Sequence, residues 1–168
     1  MQPATLKRWG VLVLDDQRRY AGPQGALGRF LQTFFQAADD YGMVVDRQPV
    51  ITYGNPNANT TGLQRLAEEL YQKVKQQKGG QPELLMFILK GRASGIYEAV
   101  KQYADTVVGV PSQAVDGMNV QRKGGDRSFH ANLLLKVNAK LGGTTVCLDA
   151  PISTDQKPTV RPHPWSLV

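Results

Sequence analysis

The stretch LLMFILKGRASG, residues 84–95, carries the strongest structural signal in the chain. Residues 84–89 are all apolar, which is typical of a strand buried on both faces of a parallel sheet. Residues 90–95 are polar or small and include two glycines, which predicts a loop at the carboxyl end of that strand. Since ligands of open α/β sheets bind beyond the carboxyl ends of the strands, we expect a ligand site near this loop.

Strands and helices alternate on the N-terminal side of this stretch. A second buried strand is predicted at residues 11–14, and a third candidate, residues 44–51, is apolar only at its ends. Apolar residues recur at helical spacing over residues 30–41 and 61–75. Strands that alternate with amphipathic helices predict a Rossmann-like α/β fold, in which helices flank a central, mainly parallel sheet.

The C-terminal side is predicted to continue this alternation. In chain order we expect a helix over 96–103, a strand over 106–110, a basic, glycine-broken loop over 121–126, a helix over 128–141 and a last strand over 144–148. Gly142 and Gly143 give the usual stop signal for the long helix. Prolines are frequent from Pro151 onward, so residues 1–150 are predicted to be the domain and 151–168 a tail or linker.

Composition limits the classes of protein and of site. The 168 residues are 41% hydrophobic and 20% charged, as in ordinary globular domains. No apolar run reaches the roughly 18 residues of a membrane span, and the start, MQPATLKRWG, lacks the apolar core of a signal peptide. The single cysteine, Cys147, excludes an internal disulfide, and two histidines argue against a zinc cluster. We therefore expect no metal or other cofactor, and location in the cytoplasm, with the nucleus as the alternative.

The charge of the chain favours an anionic partner, and several residues could form its site. The net charge is +6, and the isoelectric point is near 9.5. Gly91 and Gly95 would let backbone approach a ligand, although the loop lacks the phosphate-binding pattern of nucleotide hydrolases. Tyr97 and Lys101 share one helical face, where an anion contact and a solvated lysine beside a half-buried tyrosine are both open interpretations.

The long helix gives a second indication of an anion. Asn132, Lys136 and Lys140 recur every four residues and form a polar stripe beside apolar positions. Two lysines at this spacing repel each other by a few tenths of a kcal/mol. An unfavourable pair of this kind can mark the site of a bound anion. Solvation of Lys136 and a favourable position of Lys140 at the negative helix end explain the spacing equally well.

Asp15 and Asp16 suggest an enzyme rather than a binding domain. They follow a predicted strand, as the carboxylates of metal-dependent phosphatases do, so a small α/β phosphate-processing enzyme is the alternative function. No second carboxylate cluster accompanies them, which favours a solvated strand end. His130 is interpreted as either structural or exposed and Cys147 as a small core residue, and no pairing of a nucleophile with a base is found.

Three ordered motifs follow the loop: IYEAVKQYADTVVGVPSQAV (96–115), MNVQ (118–121) and NLLLKVNAKLGG (132–143). Together they resemble the MID domain of eukaryotic Argonautes, and a fungal Argonaute of the quelling type is the nearest in pattern. The residues before position 96 agree with that family only in layout. The loop before Tyr97 is one residue longer than is usual in animals, and Asp116 and Gly117 replace bulkier residues.

The resemblance implies that the domain binds the 5′-phosphorylated end of a small guide RNA in RNA silencing and performs no catalysis alone. It implies phosphate contacts from Tyr97, Lys101, Gln113, Lys136 and Lys140. Tyr97 would also stack on the first base, with Asn119 and Asn132 as supporting polar residues. The bordering loop, formed by Gly91, Arg92, Ala93, Ser94, Gly95 and Ile96, would bias the identity of that base.

The resemblance also implies partners beyond the RNA. In the family, a PIWI domain of the same parent chain completes the phosphate pocket, and residues 151–168 would lead toward it. The isolated domain is therefore expected to be a monomer that binds a guide more weakly than its parent does. No membrane partner is expected.

Overall fold

The computed structural model describes residues 2–22, 25–91 and 94–144. In chain order the elements are β1 (Thr5–Leu6), β2 (Trp9–Leu14), α1 (Gln17–Tyr20), α2 (Ala26–Asp40), β3 (Val44–Val45), β4 (Val50–Tyr53), α3 (Thr60–Lys78), β5 (Leu84–Leu89), α4 (Ser94–Gln102), a π-helical segment (Tyr103–Val108), β6 (Ser112–Asp116), α5 (Gly117–Lys123) and α6 (Arg127–Lys140). The tail predicted at 151–168 and Cys147 lie outside the described residues.

Four parallel strands form the central sheet in the order β4-β2-β5-β6. Every residue of the two middle strands is buried, as expected for strands covered on both faces. They pair along their whole length, from Trp9 opposite Leu84 to Leu14 opposite Leu89. β1 and β3 form a separate parallel pair.

Helices cover both faces of this sheet. Because side chains alternate along a strand, Val11 and Val13 pack into one apolar cluster, whereas Leu12 and Leu14 pack into the other. The first cluster is completed by α2, α5 and α6, and the second by α3, α4 and the π-helical segment. The predicted Rossmann-like α/β fold is therefore confirmed. None of the described helices is both long and apolar enough to cross a bilayer.

The strand predicted at residues 106–110 is wrong. Thr106, Val107 and Val108 belong instead to the π-helical segment Tyr103–Val108, which continues α4. Tyr103 is buried, whereas Val107 is 66% exposed, so the segment packs as one face of a helix. Gly109 ends it with a φ of 63°, and β6 begins only at Ser112, after Pro111.

Two other predicted segments also differ from the structure, and a third lies almost wholly outside the described residues. The candidate strand at 44–51 contains two strands that are separated by its polar middle. The first, β3, pairs with β1, and the second, β4, pairs with β2 in the main sheet. The predicted loop at 121–126 is helical in its first half, because Asp116 caps α5 and the helix runs to Lys123. Of the strand predicted at 144–148, only Thr144 is described, and it forms an antiparallel bridge with Gln2.

Candidate functional site

A cleft of about 780 Å³ runs along β6, the edge strand of the sheet, with α4 on one side and α6 on the other. All five residues of β6 line it, together with Leu89 at the end of β5. Seven side chains singled out in the sequence meet here: Tyr97, Lys101, Gln113, Asn119, Asn132, Lys136 and Lys140. They come from α4, β6, α5 and α6, so only the folded sheet brings them together.

Lys140 is the most constrained cation of the cleft. Its Nζ donates to the backbone oxygen of Ser112 at 2.5 Å and to Oε1 of Gln113 at 2.9 Å. Burial lowers the pKa of Lys140, and the charges of Lys101 and Lys136 lower it further. A lowered lysine pKa means that the ammonium is less stable here than in water. An anion in the cleft would reverse this penalty.

Lys101 reaches the cleft from α4 and is already paired with a carboxylate. Its Nζ lies 2.8 Å from Oδ2 of Asp105, four residues further along the chain. This hydrogen bond raises the pKa of Lys101. Both side chains of the pair are partly exposed, so the ion pair lies within reach of a ligand.

Gln113 is buried, and both ends of its amide are engaged. Nε2 donates to the backbone oxygen of Ala114 at 2.8 Å, while Oε1 accepts from Lys140. In this arrangement Gln113 positions the Lys140 ammonium. The direct phosphate contact implied for Gln113 stays a prediction.

The remaining predicted contacts differ in exposure. The Tyr97 ring is 42% exposed, which leaves an aromatic surface beside the cleft. Lys136 and Asn119 are half-buried, and Asn132 is exposed. The structure thus brings charged groups, amides and one aromatic face together in a single cleft.

The predicted base-bordering loop is shorter than expected. Gly91 lines the cleft and has a left-handed φ of 69°, a conformation that glycine adopts without strain. Ser94 and Gly95, predicted as loop, belong to the first turn of α4 together with Ile96, and the role of these residues beside the base stays a prediction. Arg92 and Ala93 lie outside the described residues.

The sequence interpretation missed several residues of the cleft. Lys123 lines it from α5, and Ser128 lines it from α6. Lys123 lies in the basic stretch predicted as a loop, and that charge was the available signal. Asp116 and Asp126 also line the cleft, but each caps the start of a helix with its carboxylate.

Asp15 and Asp16, the basis of the enzyme alternative, have structural partners. Asp15 is buried, and its Oδ2 accepts from the Tyr20 hydroxyl at 2.6 Å. That hydroxyl in turn accepts from Nε2 of Gln121 at 3.0 Å. Asp16 caps α1 by accepting from the backbone N–H of Arg18. Within residues 2–22, 25–91 and 94–144, no group of three or more histidine, cysteine or acidic residues could hold a metal ion.

His130 is fully buried beside Phe30, and its Nε2 lies 2.9 Å from the backbone oxygen of Gly124. Burial lowers the pKa of His130. Of the two interpretations of His130, the structural one is therefore confirmed and the exposed one is wrong.

Comparison with known proteins shows which families this chain resembles. The model of the Piwi domain family matches residues 84–161, which include most of the cleft. The protein argonaute of Schizosaccharomyces pombe is 29% identical over 146 residues, which are 86% of this chain and 17% of the relative. Residues 84–161 are thus of the Argonaute/Piwi type. It spans about a sixth of the length of that relative.

Solved structures specify the fold of this Argonaute/Piwi-type domain. The Arabidopsis thaliana AGO5 MID domain matches with a TM-score of 0.66 at 22% identity, over 88% of this chain and 97% of that one. The Kluyveromyces polysporus Argonaute with a guide RNA matches with a TM-score of 0.62 at 17% identity, over 85% of this chain and 16% of that one. The fold is that of Argonaute MID domains. Plant and yeast structures match about equally well, so the nearness to a quelling-type fungal Argonaute stays a prediction.

Proposed function

We propose that this domain binds the 5′ monophosphate and first nucleotide of a small guide RNA in RNA silencing, and that it performs no catalysis alone. The observation that carries the proposal is the convergence of Lys101, Lys136 and Lys140 in one cleft. These cations come from two helices on opposite sides of β6. Burial, together with the charges of Lys101 and Lys136, lowers the pKa of Lys140, and a bound anion would offset this effect.

The charge of the cleft suits a terminal phosphate better than an internal one. A terminal phosphate carries about −1.5 to −2 charges at neutral pH and offers three acceptor oxygens. An internal phosphodiester carries a single negative charge. Charge-assisted hydrogen bonds from several ammonium groups are roughly twice as strong as neutral ones, so the end of the RNA should be preferred over its backbone.

Tyr97 would supply the contact to the base. Its exposed ring borders the same cleft as the lysines, so a nucleotide with its phosphate among the cations can place its base on the ring. Base–aromatic stacking contributes about 1–3 kcal/mol and tolerates every base. The guide RNA in the Kluyveromyces polysporus structure supports the choice of ligand.

The partners of the domain follow from the same proposal. A PIWI domain of the parent chain would complete the pocket, and the isolated domain would be a monomer with reduced affinity. The proposed compartment is the cytoplasm or the nucleus, where guide RNAs are found.

The test compares three RNAs of one sequence: one with a 5′ phosphate, one with a 5′ hydroxyl, and one with a 3′ phosphate and a 5′ hydroxyl. The third has the same charge as the first, so it controls for general backbone attraction, which is strongly salt-dependent. We expect clearly tighter binding of the 5′-phosphorylated RNA at physiological salt. Equal affinities for the two phosphorylated RNAs would reject the proposal.

The enzyme alternative is tested with the same RNA. The 5′-phosphorylated RNA is incubated with the protein and magnesium, and released phosphate is measured. The phosphatase hypothesis predicts release that depends on Asp15 and Asp16. Our proposal predicts none, because Asp15 is buried against Tyr20 and Asp16 caps a helix. A third possibility is that the basic surface only docks a protein partner. In that case the NMR spectrum of the domain would not change when nucleotide is added.

A further inference from the structure

Lys101, one of the three lysines on which the proposed function rests, already forms an ion pair with Asp105. The two groups are 2.8 Å apart, and their side chains are 41% and 44% exposed. A phosphate that takes the Lys101 ammonium therefore meets a carboxylate already bound to it. The carboxylate would either leave or stay beside the phosphate, and both outcomes oppose binding.

The backbone around Asp105 is firmly held. Tyr103, two residues earlier, is buried and donates its hydroxyl to Glu68 on α3. The Thr106 hydroxyl donates to the backbone oxygen of Gln102 at 2.6 Å. The π-helical segment is thus attached to its neighbours on both sides of Asp105, which keeps the carboxylate one turn from Lys101.

Asp105 also acts on a second lysine of the cleft. Its charge raises the pKa of Lys140, against the effects of burial and of the neighbouring lysines. One carboxylate is therefore shared electrostatically by a lysine from α4 and a lysine from α6. In the absence of RNA it offsets part of the repulsion between them.

We propose that Asp105 is the internal counterion of this cleft, which an incoming 5′ phosphate must displace from Lys101. This inference rests on the proposed function. Asp105 then lowers the affinity for the phosphorylated end, because repulsion from its carboxylate grows with the charge of the ligand. A ligand that does not use Lys101 is affected much less.

The test measures binding of the 5′-phosphorylated and 3′-phosphorylated RNAs to the full chain and to Asp105→Asn and Asp105→Ala. The asparagine variant removes the charge, and the alanine variant also removes the hydrogen bond. We expect both to bind the 5′-phosphorylated RNA more tightly, by roughly two- to fivefold at low salt, as for other exposed ion pairs. The gain should be smaller for the 3′-phosphorylated RNA and should shrink as salt increases.

Glu69→Gln is the matched control. Glu69 pairs with Arg65 at the same four-residue spacing on α3, and neither residue lines the cleft. Its substitution changes the net charge by the same amount, so it should alter affinity little. An equal gain in this variant would overturn the inference, because the effect would then be one of overall charge.

The remaining outcomes separate the inference from the proposed function. If the natural chain prefers the 5′ phosphate but neither Asp105 variant binds it more tightly, the inference is wrong and the function stands. Weaker binding by both folded variants would show that Asp105 positions Lys101 for the ligand. That result would also overturn the inference. If the natural chain binds the two phosphorylated RNAs equally, the proposed function itself fails.

Discussion

Two regions of this molecule place charged side chains beside strands of the central sheet, and they do so with opposite results. After β2, Asp15 is buried and accepts from Tyr20, whose hydroxyl accepts from Gln121. Along β6, the lysines of α4 and α6 converge on an open cleft. In the first region the charge has its partner within the protein. In the second region Lys101 pairs with the carboxylate of Asp105, whose charge also acts on Lys140.

The difference shows that position at the end of a strand does not identify a binding site by itself. Asp15 follows the carboxyl end of β2, and the cleft reaches the carboxyl ends of β5 and β6 at Leu89 and Asp116, where ligands of α/β sheets bind. What separates them is whether the polar groups are satisfied internally, since buried groups with partners stabilise a fold. Cations that destabilise one another instead favour an external anion. The predictions below test this separation, from the largest expected effect to the smallest.

Loss of one lysine from the cleft should have the largest effect. Lys101→Ala and Lys140→Ala each remove a charge-assisted hydrogen bond to the phosphate, which contributes about 1.5–3 kcal/mol. We expect each to weaken binding of the 5′-phosphorylated RNA accordingly, measured by titration. If both lysines hold one phosphate, the double variant should lose less than the sum of the single losses.

The stability of these variants should differ. Lys101→Ala should change the free energy of unfolding little, as for exposed ion pairs. Lys140→Ala should cost more, because Ser112 and Gln113 lose their donor. The control is Lys75→Ala, an exposed lysine near the end of α3. If both cleft variants remain folded and bind like this control, the site is misplaced.

Tyr20→Phe should show the reverse pattern, with lost stability and retained binding. The change leaves the buried Asp15 carboxylate without its hydroxyl donor, which costs about 1–3 kcal/mol of the free energy of unfolding. Denaturant unfolding measures this, and Tyr41→Phe, at an exposed tyrosine, is the matched control. A Tyr20→Phe protein of unchanged stability that had lost RNA binding would reverse the assignment of the two regions.

Much of the fold could be predicted because its signals are local. The apolar run of β5 and the helical spacing of α3 each report burial directly. The segment 103–108 was missed because Thr106, Val107 and Val108 have strand propensity, while packing of Tyr103 against α3 decides for a helix. Such tertiary contacts are not visible in a local pattern.

The site was predictable to a different degree. The lysines were found because four-residue spacing and the ordered motifs indicated them. The role of Asp105 was not predicted, although it lies four residues after Lys101. Its effect on the cleft depends on Lys140 of α6, which only the fold brings near it. The engagement of Gln113 by Lys140 likewise joins an edge strand to a distant helix.

His130 should make stability depend on pH in a range where the carboxylates do not titrate. Burial holds its folded-state pKa below the ordinary value of about 6.5. Its contribution is therefore fully present above about pH 6.5 and is lost as the pH falls through the folded-state pKa, because the unfolded chain binds the proton first.

The effect should be about 1.4 kcal/mol for each unit by which the pKa is lowered. Unfolding at pH 7.5 and 5.5 measures it, with His130→Gln as the comparison. This variant is expected to be less stable overall but to lose less stability on acidification. An identical loss in both proteins would show that His130 does not titrate on unfolding.

The smallest expected effect is a preference for one base at the first nucleotide. It tests whether the open cleft also selects the base. Stacking on Tyr97 does not distinguish bases, so discrimination must come from the backbone near Gly91, which lines the cleft in a left-handed conformation. We expect UMP to bind better than CMP or GMP, by a few-fold, as for a single neutral hydrogen bond of about 0.5–1.5 kcal/mol. NMR titration with the four nucleoside monophosphates measures the ratios, and Tyr97→Ala is the control. That variant should weaken all four ligands alike and leave their ratios unchanged, because it removes the stacking surface and not the hydrogen-bonding groups. Indistinguishable curves for the four ligands in the natural chain would reject base selection by this loop, and a change of ratios in Tyr97→Ala would assign the selection to the ring.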